Sequence, residues 1–173
     1  MYSAGALRAF GDVDSFRDGP GTDRCVRLYR KLAAGVSVVG TAGVDGPVGA
    51  TVSAVTSVSL RPPMLLVSLS LGSRTLAAIE RRRAFSVALL RAGQQSLAEG
   101  FARPGGPRFA GVAYRELLGV PVLTDSLAWS VCLVADVRAY GDHSLVIGEV
   151  VAAHAGTGRP LLWHDQKFAE LGE

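Results

Sequence analysis

Three short stretches of the chain carry side chains suited to holding and orienting a small ligand. Gly141-Asp142-His143 puts an imidazole at a hairpin turn. Asp142 can fix the turn by accepting from nearby backbone N–H groups, and a histidine there can donate to a carbonyl or stack on a flat ring. Gly49 to Pro63 (GATVSAVTSVSLRPP) reads as a strand with no charge between Val48 and Leu60. Thr51, Ser53, Val55, Ser57 and Ser59 share one face, a row of small hydroxyls that leaves room for a flat ligand and offers it donors and acceptors. Val52, Ala54, Thr56, Val58 and Leu60 form the other face, which suits a core. Pro62 and Pro63 end the ladder because neither donates an N–H. Leu71-Gly72-Ser73-Arg74-Thr75 opens a short helix with Ser73 as N-cap. Two hydroxyls, a glycine and an arginine at a helix start are the makings of a phosphate seat. Each stretch also has a plain structural reading. The first is then a Gly/Asp turn with a surface histidine, the second a Thr/Ser-rich strand facing another strand or a subunit, and the third a cap that serves only its own helix.

Other chemistries find no support. His143, His154 and His164 share no metal-ligand spacing, so no metal site is expected. Cys25 and Cys132 lie in no CxxC or Cys/His cluster and read as buried, reduced residues. There is no GxSxG, no GxGxxG after a first strand and no GxxxxGK[ST]. The net charge of +3 is mild. Arg81-Arg82-Arg83 is the only basic run and has no aromatic residues interleaved, so a nucleic-acid surface is poorly supported; a solvated helix end or an affinity for anionic small molecules explains it as well.

The elements that must position these residues are short. The 173 residues suit one domain, and with 49% hydrophobic and 19% charged residues the chain can build a large core and bury some surface between subunits. No apolar run approaches about 18–20 residues and the N-terminus lacks a signal-peptide pattern, which favours a cytoplasmic protein without a membrane span. Residues 1–21 read as a flexible N-terminal arm and 22–173 as the folded domain. A helix begins near Thr22 or Asp23, with Val26, Tyr29, Leu32 and Ala33 on its apolar face. Strands follow over Val36–Thr41, 49–63, Met64–Ser70, Phe85–Leu90, Val122–Leu123, Trp129–Tyr140, Leu145–Ala153 and Leu161–Trp163. Helices are expected over Leu76–Arg82 and Gln94–Ala102, residues 112–118 stay ambiguous, and the C-terminus ends in a short helix. Gly43-Val44-Asp45-Gly46 marks a hairpin. Hairpin-linked strands without alternating long helices imply a mostly β fold, an antiparallel barrel with a few helices over its ends.

The order of these pieces resembles the flavin reductase family with the split-barrel FMN-binding fold, the small reductases of two-component flavin-dependent monooxygenases. The matching pieces are Gly35 to Val39; Gly49 to Ser59 with Pro62-Pro63; Ser73-Arg74-Thr75; Phe85-Ser86-Val87; Gln95 through Phe101; Arg108-Phe109; and Gly141-Asp142-His143 with Gly148-Glu149-Val150. They span about residues 25–168.

The resemblance implies an antiparallel Greek-key split barrel, a homodimer, and hydride transfer from NADH or NADPH to FAD or FMN, with reduced flavin diffusing to a separate monooxygenase. It implies that Ala50, Thr51, Val52 and Ser53, the turn at Ser57-Val58, and Ser68, Leu69 and Ser70 line the flavin. Ser73, Arg74 and Thr75 would hold its phosphate, with Arg108 beside Phe109 adding a second cation. Phe101, Gly141 and Asp142 would complete the cofactor site, and His143 would position the nicotinamide. Three positions depart from the family pattern. Ala88 stands where Asn is frequent, Pro107 stands where an acidic residue precedes Arg-Phe, and Arg81 to Arg83 replace a neutral turn, which could favour FAD as the longer, more anionic flavin. The competing readings are a non-catalytic split-barrel protein binding flavin or haem, and a pyridoxine-phosphate-oxidase-like enzyme, for which the Arg/Lys phosphate set is sparse.

Overall fold

Tight turns between short β-rich runs give the chain its architecture. The computed structural model describes residues 19, 21–103 and 109–171. The expected N-terminal arm falls outside them except for Gly19 and Gly21, as does Arg108. The elements are α1 (Thr22–Tyr29), β1 (Ala34–Gly35), β2 (Ser37–Gly43), β3 (Gly46–Val52), β4 (Val55–Leu60), β5 (Pro63–Ser70), α2 (Arg74–Arg82) and β6 (Ala84–Leu89). Then come α3 (Gln95–Ala102), β7 (Arg115–Leu117), β8 (Val120–Val122), β9 (Ala128–Tyr140), β10 (His143–Ala155), β11 (Leu162–His164) and β12 (Lys167–Ala169).

Seven strands form one antiparallel sheet in the order β3-β2-β6-β9-β10-β5-β4. Its two outer strands, β3 and β4, are consecutive in the chain, separated only by Ser53 and Ala54. At that junction Ser68 N donates to Ala54 O at 3.0 Å, so β5 touches the break between the outer strands. One apolar cluster, including Val39, Val67, Ile79, Phe85 and Val146, lies between the sheet and α2. A second, including Leu90, Phe101, Phe109 and Leu161, lies under α3. Burial of each such side chain contributes about 1.5–3 kcal/mol. Gly148 of β10 is where the first cluster is tightest: a Cβ there would stand 2.6 Å from the Phe85 ring and 2.7 Å from Cys132 Cβ, so only glycine fits.

Five expectations are corrected. The run 49–63 is two strands rather than one, and a further register shift falls between Ser57 and Ser59. The alternation inverts at these irregularities, so Val58 (51% exposed) and Leu60 (87%) face outward instead of filling the core. Helix α1 buries no residue; it ends at Tyr29, and Val26, Tyr29 and Leu32 stay exposed because none of the other described residues covers them. The C-terminus folds back as the β11–β12 hairpin through Asp165 and Gln166, not as a helix. Cys132 is buried as expected, but Cys25 is only half-buried.

Candidate active site

The site is assembled at the end of the sheet where β3, β5 and β10 meet the start of α2. Gly141 takes a left-handed conformation (φ +60°) that a side chain resists, and this lets a two-residue turn pair His143 with Tyr140. The same turn is tied down from the other side, because Leu71 N donates to Asp142 O at 3.0 Å. His143 therefore starts β10 directly opposite Ser70 of β5. Three residues on, Ser73 caps α2; its Oγ accepts from Leu76 N at 3.4 Å. The N–H groups of Arg74 and Thr75 lie at the helix start, where no intrahelical carbonyl is available to them.

These elements enclose a cavity of about 340 Å³ lined by Ala50, Thr51, Val52, Ser53, Ala54, Ser68, Leu69, Ser70, Ser73 and His143. Nine of the ten are small or aliphatic, and His143 is the only lining group that titrates. The wall is thus flat, uncharged and dotted with hydroxyls, with one imidazole at its rim. Among the described residues no group of three or more His, Cys, Asp or Glu side chains could hold a metal ion.

The imidazole has a set orientation. His143 Nδ1 lies 2.7 Å from Asp142 Oδ1. The hydrogen bond from His143, and then its charge, hold the Asp142 carboxyl below the usual carboxylate range. An ionised Asp142 can only accept, so Nδ1 carries the proton and donates, leaving Nε2 for a ligand.

The residues expected to bind a cofactor sort into several groups. Ala50 to Ser53, Ser68 to Ser70, Ser73 and His143 converge on the one cavity. Thr51 also acts as a clamp: its Oγ1 donates to Ala98 O of α3 at 2.6 Å. Phe101 and Phe109 lie behind the strand, in an edge-to-face pair 4.8 Å apart, both buried. Phe101 packs on β3 itself, since a Cβ at Gly49 would stand 3.0 Å from its ring. Gly141 and Asp142 hold His143 rather than line the cavity. Ser57 lines a separate, apolar groove of about 610 Å³ with Val55, Leu65, Trp129 and Val150, and Val58 is exposed on β4. Arg74 lines a third hollow, between α2 and the β2–β3 hairpin, rather than this cavity. Thr75 is fully buried, and its Oγ1 is the one buried side-chain polar atom among the described residues without a hydrogen-bond partner. Arg108 lies outside the described residues. Sequence reasoning missed Ala54 as a lining residue, because it read residues 49–63 as one unbroken strand. It also missed the Thr51–Ala98 clamp, for which no local signal exists.

Comparison with known proteins gives the same picture over nearly the whole chain. Residues 29–172 match the flavin reductase like domain. The reductase component of 4-nitrophenol 4-monooxygenase/4-nitrocatechol 2-monooxygenase from Rhodococcus opacus is 45% identical over 141 residues, covering 81% of this chain and 76% of that one. A flavin reductase (NADH) from Kitasatospora aureofaciens is 43% identical over 153 residues, covering 85% and 80%. Among solved structures, the NADH:FAD oxidoreductase SgcE6 of Streptomyces globisporus C-1027 superposes with a TM-score of 0.82 at 28% identity, covering 89% of this chain and 96% of that one. With the hydroxyl-lined strand, the capped α2 and the Gly141-Asp142-His143 turn meeting at one cavity, and a domain match that leaves out little more than the N-terminal segment, this chain belongs to the flavin reductase-like family.

Proposed function

We propose that the chain is an NAD(P)H:flavin oxidoreductase that reduces FAD or FMN and supplies free reduced flavin to a partner monooxygenase. The observation that carries this reading is the cavity itself: small side chains of β3 and β5 form a wall that a flat ring can lie against, with a helix start at one end and His143 at the rim. The residues present fit a flavin, since the wall offers hydroxyls to a polar ring edge and α2 offers N–H groups to a phosphate. When bound, the flavin supplies the ring that accepts a hydride from the reduced nicotinamide.

The protein's part is positioning. Ala50, Val52 and Leu69 exclude water from one ring face, while Ser53, Ser68 and Ser70 offer donors and acceptors along it. Ser73, with Arg74 beside it, anchors the phosphate at the start of α2. His143, its Nδ1 held by Asp142, presents Nε2 to the nicotinamide amide and sets its approach. No protein acid or base is needed for hydride transfer, so His143 acts by orientation.

The sheet closes into a split barrel in this reading, because its outer strands β3 and β4 meet through Ser53 and Ala54. The enzyme works as a homodimer, which accounts for the outward Val58 and Leu60 of β4 and the uncovered apolar face of α1. Dependence on a reduced nicotinamide supports a cytoplasmic location. No described helix is long and apolar enough to cross a membrane.

The test is NADH and NADPH oxidation followed at 340 nm with and without FAD or FMN. Flavin-dependent consumption is expected. No consumption with either flavin and either nucleotide overturns the enzyme reading. A His143→Ala variant should raise the nicotinamide KM; unchanged turnover and KM would remove His143 from the site.

A further inference from the structure

We infer that the groove of about 610 Å³ floored by β2, β6 and β9 is a binding site for an uncharged, flat hydroxyaromatic molecule of two or three rings. The occupant is not a nucleotide, so the inference goes beyond the flavin reading above and does not depend on it.

Strand register builds the floor. Ser37 of β2 pairs with Leu89 of β6, which pairs with Ala128 of β9. Two residues along, Val87 pairs with Ser130, which pairs with Ala153 of β10. Paired residues point to one face, and residues two apart on a strand share it, so these six form a single surface. All six line the groove, and Val55, Leu65 and Val150 add apolar wall. The groove adjoins the cavity beside His143 without opening into the same lining, because Ala54 belongs to the cavity and Val55 to the groove.

Two hydroxyls interrupt this apolar surface from below. Ser37 is only 1% exposed and Ser130 9%, yet both reach the groove. The Ser37 hydroxyl has no hydrogen-bond partner among the described residues. Ser130 Oγ has only the sulfur of Cys132, at 3.7 Å, and sulfur is a weak partner. Leaving such buried hydroxyls unsatisfied is unfavourable, so the floor favours an occupant with a donor and acceptor of its own. A phenolic hydroxyl is both.

Charge sets the rest of the chemistry. No Asp, Glu, Lys or Arg lines the groove, and His154 is its only lining residue that titrates near neutral pH. A carboxylate or phosphate would lose its hydration here with no cation to offset the loss. The start of α2, with its free N–H groups and Arg74, has the opposite character. The volume falls in the range of small-molecule sites, about 300–1,000 Å³, and one ring would leave most of it empty.

The test is equilibrium dialysis of the full chain against 2-naphthol, naphthalene and 2-naphthoate, with and without saturating FMN. Wild type should bind 2-naphthol about fivefold more tightly than naphthalene, the scale of one net hydrogen bond, and at least as much more tightly than 2-naphthoate. A Ser37→Ala, Ser130→Ala double variant should keep naphthalene binding, which shows that it folds, and lose the preference for the hydroxyl. Ser57→Trp, at an exposed lining position, should block the groove and weaken 2-naphthol about tenfold while FMN still binds. FMN should leave 2-naphthol binding unchanged. Displacement of 2-naphthol by FMN would place the probe in the flavin cavity and overturn the inference. So would a hydroxyl preference that survives the double variant, tighter binding of the carboxylate, or no binding of 2-naphthol, the result expected if a second copy of the chain fills the groove. Binding of 2-naphthol without any binding of FMN would leave this site standing and remove the flavin reading.

Discussion

Thr75 is the residue at which stability and ligand binding should separate most cleanly. It sits in the first turn of α2, fully buried, and its hydroxyl has no hydrogen-bond partner. Leaving a buried hydroxyl unpaired costs about 1–3 kcal/mol. Thr75→Val replaces that oxygen with a methyl of similar size and keeps the β-branch, so helix propensity changes little. The ligand-free protein should therefore gain about 1–2 kcal/mol, and for a chain of this length each kcal/mol raises Tm by roughly 2–4 °C. If the hydroxyl turns toward the flavin phosphate on binding, the same change removes a hydrogen bond to a charged group worth about 1.5–3 kcal/mol, and flavin affinity falls at least tenfold. Thermal melts without ligand and flavin titrations by fluorescence give the two numbers independently. A Tm that stays level or drops would refute the idea that the hydroxyl is idle in the ligand-free state. A raised Tm with unchanged flavin affinity would strike Thr75 from the phosphate seat and leave it a flaw in the packing.

Other perturbations follow from the same geometry. Gly148→Ala drives a Cβ into the Phe85 ring and Cys132, at 2.6 and 2.7 Å, and should cost about 1–3 kcal/mol in urea unfolding; an unchanged midpoint would show that β10 relaxes freely there. Burial pushes the Cys132 thiol up to about 11, so at pH 8 it is neutral, and iodoacetamide should label it only after unfolding; labelling in the native state contradicts this. The Asp142 carboxyl is lowered by its hydrogen bond from His143. The pair therefore persists above the ordinary aspartate value of about 3.9 and is lost only as pH falls through the lowered one. An NMR titration of that carboxyl with a midpoint at or above the ordinary value would break the pairing.

What could be read from the sequence was local. The hairpins at Val44-Asp45 and Gly141-Asp142 and the Ser73 cap all depend on turn and cap chemistry within a few residues, and each stands where that chemistry puts it. The apolar face assigned to Val58 and Leu60 failed because alternation survives only while the strand is unbroken, and a break at Ser53-Ala54 followed by a register shift near Ser57 resets it. The β11–β12 hairpin was invisible because Asp165 and Gln166 both adopt positive φ without a glycine to announce it. Helix α1 has the right periodicity, but periodicity says which face is apolar and not whether anything in the chain covers it.

The motifs that carry the family resemblance divide by physical role. Gly148 answers to Phe85 and Cys132, and Phe101 answers to Gly49, so these positions mark how the sheet packs. Thr51 belongs to both kinds, lining the cavity while bonding Ala98. Only the lining of β3 and β5, Ser73 with Arg74 at the start of α2, and His143 held by Asp142 meet a ligand in this reading. A fold shared by many flavin reductases therefore cannot by itself choose the flavin, because most of its signature residues touch none. The choice falls to positions outside the signature. Arg81 departs from the family pattern, has no partner among the described residues, and faces a groove that adjoins the cavity at the start of α2. A residue free of packing duties can change the ligand without changing the fold, and Arg81 is such a residue.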